Sequence, residues 1–281
     1  EITDNENKAI IATYCIMATG CLSTINKPNF KNINKFSGPI YHTGEWPHNR
    51  VDLNDKKVGI IGTGSSAIQT IPEIIKKVKH LYVFQRTPHY TVPARNSLLK
   101  YLRKNINNNS RKPLGYDNDI YVEEVKAHYS EFRIKAQNSV AAMALPINEE
   151  SALEVSEERR KKIYEDRWEK GGVPFIAAFQ DLTIDREANE TAAEFVRNKI
   201  KHVVKDPKTA KTLTPNYPIG CKRLAVDSNY YETFNEPNIS LINLNTEPLE
   251  EFVSNGLSTR KNLYDLDAII LATGFDAMTG T

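Results

Sequence analysis

The chain has 281 residues, 37 Lys plus Arg against 35 Asp plus Glu, three cysteines and a 40% hydrophobic fraction, which is roughly two domains of ordinary soluble composition. A net charge of +2 gives no overall pull toward nucleic acid or an anionic membrane, no apolar run approaches the ~18 residues of a membrane span, and no signal peptide opens the chain. Cys15, Cys21 and Cys221 are odd in number and form no CxxC pair, which excludes a disulfide scaffold and favours a reducing, cytoplasmic setting.

In chain order, the first apolar run covers residues 9–17 (AIIATYCIM) and reads as a buried strand, followed by Met17-Ala18-Thr19-Gly20. Residues 57–61 (KVGII) and 80–84 (HLYVF) are two more such strands; short β-rich apolar runs bounded by turn residues are the pattern of a parallel sheet. Between them, Ile68, Ile71, Ile74, Ile75 and Val78 recur at helical spacing over residues 65–78, with Pro72 predicting a kink or a late start. This strand–helix–strand unit has the size of a βαβ crossover. From about 97 to 214 the character becomes helical. Residues 105–110 (NINNNS) are a polar loop, and Ser151-Ala152-Leu153-Glu154 predicts a capping box for a charged helix running to Trp168 and ending at Gly171-Gly172. A second helix is expected from Asp185, with Ala188, Ala192, Phe195, Val196 and Ile200 on one face. β character returns between 239 and 271, where 268–271 (AIIL) precedes a second Ala-Thr-Gly, at Ala272-Thr273-Gly274. No solenoid repeat is present.

Gly62-Thr63-Gly64-Ser65-Ser66-Ala67 follows a strand and opens a helix, which is the context a GxGxxA phosphate loop requires. Gly62 allows the tight turn, Gly64 lets a pyrophosphate approach the backbone, and Ala67 lets helix and strand pack closely; Gln69 lies one turn further on. The plainer alternative is a glycine-rich turn without ligand. The next strand ends in Gln85-Arg86-Thr87-Pro88 with no carboxylate. An NAD site places an acid there for the ribose 2′-OH, whereas Arg86 can fork onto a 2′-phosphate and Thr87 can donate to it, so NADPH is the expected nucleotide; the alternative is that Arg86 is surface charge. Either Ala-Thr-Gly triplet alone could be an ordinary strand end. Two of them flanking a complete NADP unit suggest a second dinucleotide domain interrupted by the first.

Upstream of the glycine loop stands Phe36-Ser37-Gly38-Pro39-Ile40-Tyr41-His42-Thr43-Gly44-Glu45-Trp46-Pro47. This resembles the FxGxxxHxxxWP fingerprint of the Baeyer–Villiger monooxygenases, a branch of the class B flavoprotein monooxygenases. Similarity extends along residues 83–96, 220–238 and 272–281 and is weakest in the helical stretch. The resemblance implies a Rossmann-like α/β flavoprotein with two dinucleotide-binding domains and a helical insertion. It implies FAD and NADPH as cofactors, a small-molecule ketone and O2 as substrates, and a peroxyflavin route to an ester or lactone. It also implies that Arg223 is the active-site arginine, stabilising the anion beside the flavin, and that Lys222 joins Arg86 and Thr87 at the NADP 2′-phosphate. His42 and Trp46, with Phe36, Gly38 and Pro47, lie on the linker and couple NADP binding to domain movement. Ala18, Thr19, Gly20, Ala272, Thr273 and Gly274 are the expected cofactor contacts of the second domain. The corresponding division is 1–48 partial FAD-binding domain and linker, 49–97 and 216–250 the NADP-binding domain with a linker at its end, 98–215 the insertion, and 251–281 a further part of the FAD domain.

The sequence departs from the family in having no Gly ahead of Gly20, hence no N-terminal GxGxxG; both ends are expected to be cuts. The rivals are a flavin monooxygenase acting on nitrogen or sulfur, a flavin disulfide reductase (weakened by the spacing of Cys15 and Cys21), and a catalytically silent NADP-binding module. His42, Glu45 and His48 do not form HExxH, so no metal is expected. The other histidines pair with no nucleophile, and Cys221 reads as a passive thiol. Nothing predicts nucleic-acid or obligate membrane partners, and neither the particular substrate nor the oligomeric state is written in the sequence.

Overall fold

Short apolar runs become buried strands here because both of their faces are covered. The computed structural model describes residues 2–3, 8–16, 18, 20–94, 126–138 and 148–277; the polar loop at 105–110, Met17, Thr19 and residues 278–281 lie outside them. The strands in chain order are β1 (Ile2–Thr3), β2 (Ala9–Ile10), β3 (Ile40–His42), β4 (Lys57–Ile61), β5 (His80–Gln85), β6 (Thr91–Pro93), β7 (Ala225–Asp227), β8 (Ile239–Asn243), β9 (Leu249–Val253), β10 (Gly256–Thr259), β11 (Leu263–Asp265) and β12 (Ala268–Leu271). The helices are α1 (Ser65–Ile74), α2 (Tyr129–Gln137), α3 (Glu157–Lys170), α4 (Arg186–Val203), α5 (Pro207–Leu213) and α6 (Tyr230–Thr233).

The central sheet has five strands in the order β3-β12-β4-β5-β8, every neighbouring pair parallel. Side chains alternate across it. Val58, Ile60, Leu81, Val83, Ala268 and Ile270 face the helical side with Ala67, Ile68 and Ile71 of α1. Ile61, Phe84, Ile269 and Leu271 face the antiparallel β9–β11 meander through Phe252, Leu257 and Leu266. Val58, Ile60, Ile68, Ile71, Leu81, Val83, Ile269 and Ile270 are wholly buried, and each such side chain contributes about 1.5–3 kcal/mol over an exposed one. The helical segment shares this core: Ala152, Tyr164, Phe175, Phe179, Ala192 and Val196 belong to the same apolar cluster as Val83.

Several expectations shift. β3 and β12, from the stretches 1–48 and 251–281, are strands of the same sheet as the glycine-loop strand β4; an AIIL run with all four residues buried needs neighbours on both sides, and β3 and β4 supply them. Residues 9–17 do not form one buried strand. Only Ala9–Ile10 pairs, with β1, and Ile11, Tyr14 and Ile16 are 86–91% exposed, since no other described strand covers this run. Helix α1 starts at Ser65 without delay and ends at Ile74, two residues beyond Pro72, short of Val78. Charged helix α3 is capped by Ser156, whose side chain accepts from the Arg159 N–H. Ser151 is not its cap, because the Ser151 hydroxyl is taken by Asp181 Oδ2 at 2.6 Å. Its expected end at Gly171, with φ +71°, and the Asp185 cap of α4, accepting from the Glu187 and Ala188 N–H groups, both match.

Gly62 shows how closely the sheet strands approach. It has φ +110°, and a Cβ there would lie 2.4 Å from the Ala272 carbonyl oxygen. Gly62→Ala is expected to lower the unfolding free energy by about 2–4 kcal/mol, measured by urea denaturation. Gly64, where an added Cβ meets nothing within 4 Å, should tolerate alanine at about 0.5–1 kcal/mol, the loss of a helix-capping glycine.

Candidate functional site

The carboxyl ends of the parallel strands share one edge of the sheet, where ligands bind in open α/β folds. Gly62 leaves β4 there, its N–H donating to the Phe84 carbonyl at 3.1 Å, while the Ala272 N–H at the end of β12 donates to the Ile61 carbonyl at 2.9 Å. The loop Gly62–Gly64 then enters α1 with Gly64 as its N-cap and no side chain capping the first turn. That leaves the amides of Ser65, Ser66 and Ala67 available to an anion, favoured further by the helix dipole. Gln69 turns back onto this start, its amide donating to the Ser65 carbonyl at 3.2 Å. A pyrophosphate fits this cradle.

Thr63 is buried, and its hydroxyl donates to the Thr87 carbonyl at 2.8 Å, so the glycine loop and the loop after β5 are tied together. Arg86 is exposed beside Thr87 and enters no ion pair with other described residues. Lys222 belongs to the segment before β7, but its Nζ sits 5.2 Å from the centre of the Tyr217 ring, and the Tyr217 hydroxyl donates to the Pro88 carbonyl at 2.9 Å. Sequence-distant Lys222 is thus carried to the loop that bears Arg86 and Thr87. Burial, and secondarily the Lys222 charge, holds His89 below the ordinary histidine value. Arg223 is exposed in the same segment, and no described contact joins it to residues 62–67.

The fingerprint residues separate into two kinds. Phe36 is packed in the meander-side core. At Gly38 a Cβ would meet the Asp267 carbonyl at 2.7 Å. His42 is 5% exposed at the end of β3. Its Nδ1 accepts from the Gly44 N–H at 3.0 Å, and its Nε2 lies 3.1 Å from the Thr273 hydroxyl, which itself donates to the Asn26 carbonyl at 2.6 Å. With Nδ1 an acceptor and the Thr273 proton already committed, Nε2 carries the hydrogen and the ring is neutral; burial is the largest cause holding its pKa below the usual 6.5. Asn26 also donates its N–H to the Gly274 carbonyl at 2.9 Å. Trp46 and Pro47, by contrast, are exposed, Trp46 lying against the Tyr41 ring at 5.4 Å.

The expected second cradle is not assembled among the described residues. Ala18 and Gly20 are exposed, an added Cβ at Gly20 meets nothing, Thr19 lies outside the described residues, and Ala272–Gly274 is engaged with Gly62, His42 and Asn26. A groove of about 880 Å³ between α3 and α4, lined by charges of both signs such as Glu157, Lys161, Glu165 and Lys199, is separate from the glycine loop. Among the described residues no group of three or more His, Cys, Asp or Glu could hold a metal, and no helix is long and apolar enough to cross a membrane. Sequence reasoning missed Asn26 and Tyr217, which act through hydrogen bonds to main-chain carbonyls and carry no spacing signal.

No protein-family model matches the chain. Among curated proteins it is 38% identical to a Baeyer–Villiger monooxygenase of Pseudooceanicola batsensis over 99% of this chain and 48% of that protein. It is 37% identical to the cyclohexanone 1,2-monooxygenase of an Acinetobacter species (100% and 48%), and equally to the phenazine N-monooxygenase PhzNO1 of Lysobacter antibioticus (100% and 49%). Among solved structures, an oxidised steroid monooxygenase bound to NADP matches with TM-score 0.81 and 44% identity over 92% of this chain and 46% of that one. The ε-caprolactone-bound cyclohexanone monooxygenase matches with TM-score 0.86 and 36% identity over 99% and 51%, and OTEMO complexed with FAD and NADP gives 0.83 and 34% over 94% and 48%. The chain spans about half the length of the curated relatives it matches. Along its whole length it is a homologue of roughly half of a Baeyer–Villiger monooxygenase, and its α/β fold is theirs.

Proposed function

We propose that this chain supplies the NADPH-binding part of an FAD- and NADPH-dependent Baeyer–Villiger monooxygenase. The overall reaction takes a small ketone, O2, NADPH and a proton to an ester or lactone, NADP+ and water. The observation that carries this is the meeting of three sequence-distant pieces at one sheet edge: the uncapped start of α1, the Arg86–Pro88 loop bound to it through Thr63, and Lys222 seated on Tyr217. The likeness to an NADP-bound steroid monooxygenase supports it.

When bound, NADPH supplies the hydride. The chain's own part is to hold it: the amides of Ser65–Ala67 take the pyrophosphate, Gly64 keeps the approach open, and Arg86, Thr87 and Lys222 take the 2′-phosphate. Arg223 is assigned the catalytic role, a permanently charged guanidinium offered to negative charge developing on oxygen. FAD is supported by the relatives, among them OTEMO in complex with FAD and NADP; when bound it supplies the oxygen-transferring chemistry. His42 and Trp46 are assigned to the coupling of NADP binding with movement of the fingerprint segment. A cytoplasmic setting suits three cysteines outside any disulfide. The second reading, oxygenation of nitrogen, is favoured by the 37% identity to a phenazine N-monooxygenase.

The intact enzyme containing this chain is expected to oxidise NADPH with O2 and convert ketones to esters in a panel of ketones, amines and sulfides. Formation of N- or S-oxides alone would replace the Baeyer–Villiger assignment by the second reading. Arg223→Ala should retain NADPH binding and lose ester formation by at least ~100-fold, the scale of removing one fixed electrostatic stabiliser; undiminished ester yield removes Arg223 from the chemistry.

A pH effect follows from His42. Its folded-state pKa lies below the unfolded value, so the unfolded chain takes up the proton first as pH falls. The stability gained from a neutral His42 is present above about pH 6.5 and is lost as pH drops below it. His80 and His89 are lowered in the same direction, so the comparison needed is with His42→Gln. Between pH 8 and pH 5 the urea midpoint of the native chain should fall more steeply than that of the variant; parallel slopes contradict the neutral ring.

A further inference from the structure

Four consecutive carbonyls after β5 each accept a hydrogen bond from a side chain in a different part of the fold. The Arg86 carbonyl accepts from Asn245 Nδ2 at 2.5 Å, the Thr87 carbonyl from the Thr63 hydroxyl at 2.8 Å, the Pro88 carbonyl from the Tyr217 hydroxyl at 2.9 Å, and the His89 carbonyl from the Tyr231 hydroxyl at 2.9 Å. Asn245 follows β8, Thr63 lies in the glycine loop, Tyr217 stands between α5 and β7, and Tyr231 is in α6. Arg86 is exposed while Thr87, Pro88 and His89 are half-buried, so the run lies at the border of the fold, where these bonds both satisfy its carbonyls and fix its main chain.

We propose that Asn245, Thr63, Tyr217 and Tyr231 form a carbonyl clamp that positions Arg86, Thr87 and Lys222 for the 2′-phosphate of NADPH, an inference that rests on the NADPH-binding role given above. The physical reason is twofold. An anion docking beside a free loop must order that loop first, and the cost is subtracted from its affinity; a loop already fixed at four successive peptides has that cost removed. The same loop also presents carbonyl oxygens, the wrong polarity for a phosphate. Pairing each of them with a donor ties up those lone pairs and leaves the cationic and hydroxyl side chains as what the anion meets.

Tyr217 has a second part in this. Its ring lies under Lys222 Nζ at 5.2 Å, so one side chain holds the Pro88 peptide and seats the second cation by a cation–π contact. Tyr217 is itself fixed, its own carbonyl accepting from the Tyr90 hydroxyl at 2.9 Å. Burial pushes its phenol up to about 12, so it remains a donor at neutral pH. None of the four clamp side chains is placed against the phosphate; they act through the groups they hold.

The test measures binding of 2′,5′-ADP and 5′-AMP to the chain by calorimetry, because the two ligands differ only in the 2′-phosphate. Tyr217→Phe deletes the bond to Pro88 and keeps the ring, and Asn245→Ala removes the bond to Arg86 from an exposed position, where loss of folding is not at issue. Each is expected to weaken 2′,5′-ADP about threefold to tenfold, the worth of one such hydrogen bond, with 5′-AMP unchanged; Arg86→Ala should lower the preference between the two ligands further, with Lys222 and Thr87 keeping the remainder. If Arg86→Ala lowers the preference while Tyr217→Phe and Asn245→Ala leave it at the native ratio, the clamp is wrong and the NADPH site stands. If the native chain shows no preference for 2′,5′-ADP, the NADPH site itself falls and the clamp with it. Equal loss for both ligands in the two clamp variants marks a merely structural role and also overturns the inference.

Discussion

Everything at the candidate site depends on the parallel pairing of β12 between β3 and β4. Ala268 to Leu271 lies in register with Val58 to Ile61 on one side and beside Ile40 to His42 on the other. That pairing brings the Ala-Thr-Gly turn against the glycine loop so closely that only glycine fits at position 62. It also delivers Thr273 to His42, and through Thr273 the Asn26 segment. Without it the strand–helix–strand unit would remain, but the fingerprint residues would have nothing to hold.

The strand–helix–strand unit was legible because its signals are local. A five-residue apolar run, a GxGxxA loop and an apolar helical stripe agree with one another within 30 residues, and β4, α1 and β5 follow them. Local signals failed where a long-range partner decided. In the same kind of apolar run at residues 9–17, Ile11, Tyr14 and Ile16 stay exposed because, among the described residues, only β1 pairs with it, at Ala9–Ile10, while AIIL at 268–271 is flanked by β3 and β4, more than 200 residues earlier in the chain. Ser151 has the spacing of a capping box, yet a carboxylate 30 residues away, Asp181, takes its hydroxyl and leaves the capping to Ser156.

At the site, residue types with distinctive chemistry were readable: Gly62, Gly64, Ala67 and Arg86 by position after strands. Lys222 and Arg223 looked like surface charge except through the family resemblance. What places Lys222 is Tyr217, an unremarked tyrosine whose ring and hydroxyl both matter. His42, Phe36 and Gly38 carry the fingerprint spacing, and the structure gives them packing and hydrogen-bonding tasks that explain why those residue types suit those positions. Phe36 fills core, Gly38 clears a carbonyl, and His42 bridges two segments as a neutral ring.

The placement of β12 also bears on how the molecule is made. During synthesis the chain emerges from its beginning, so β3, β4 and β5 are available long before residue 268. Until β12 arrives, β3 and β4 have no strand between them, and the apolar edge of β4 stands open to any other extended segment. Closure of so distant a pairing carries a large loop entropy and comes late. The interval before it is when this polypeptide is most exposed to misassembly and most dependent on being shielded.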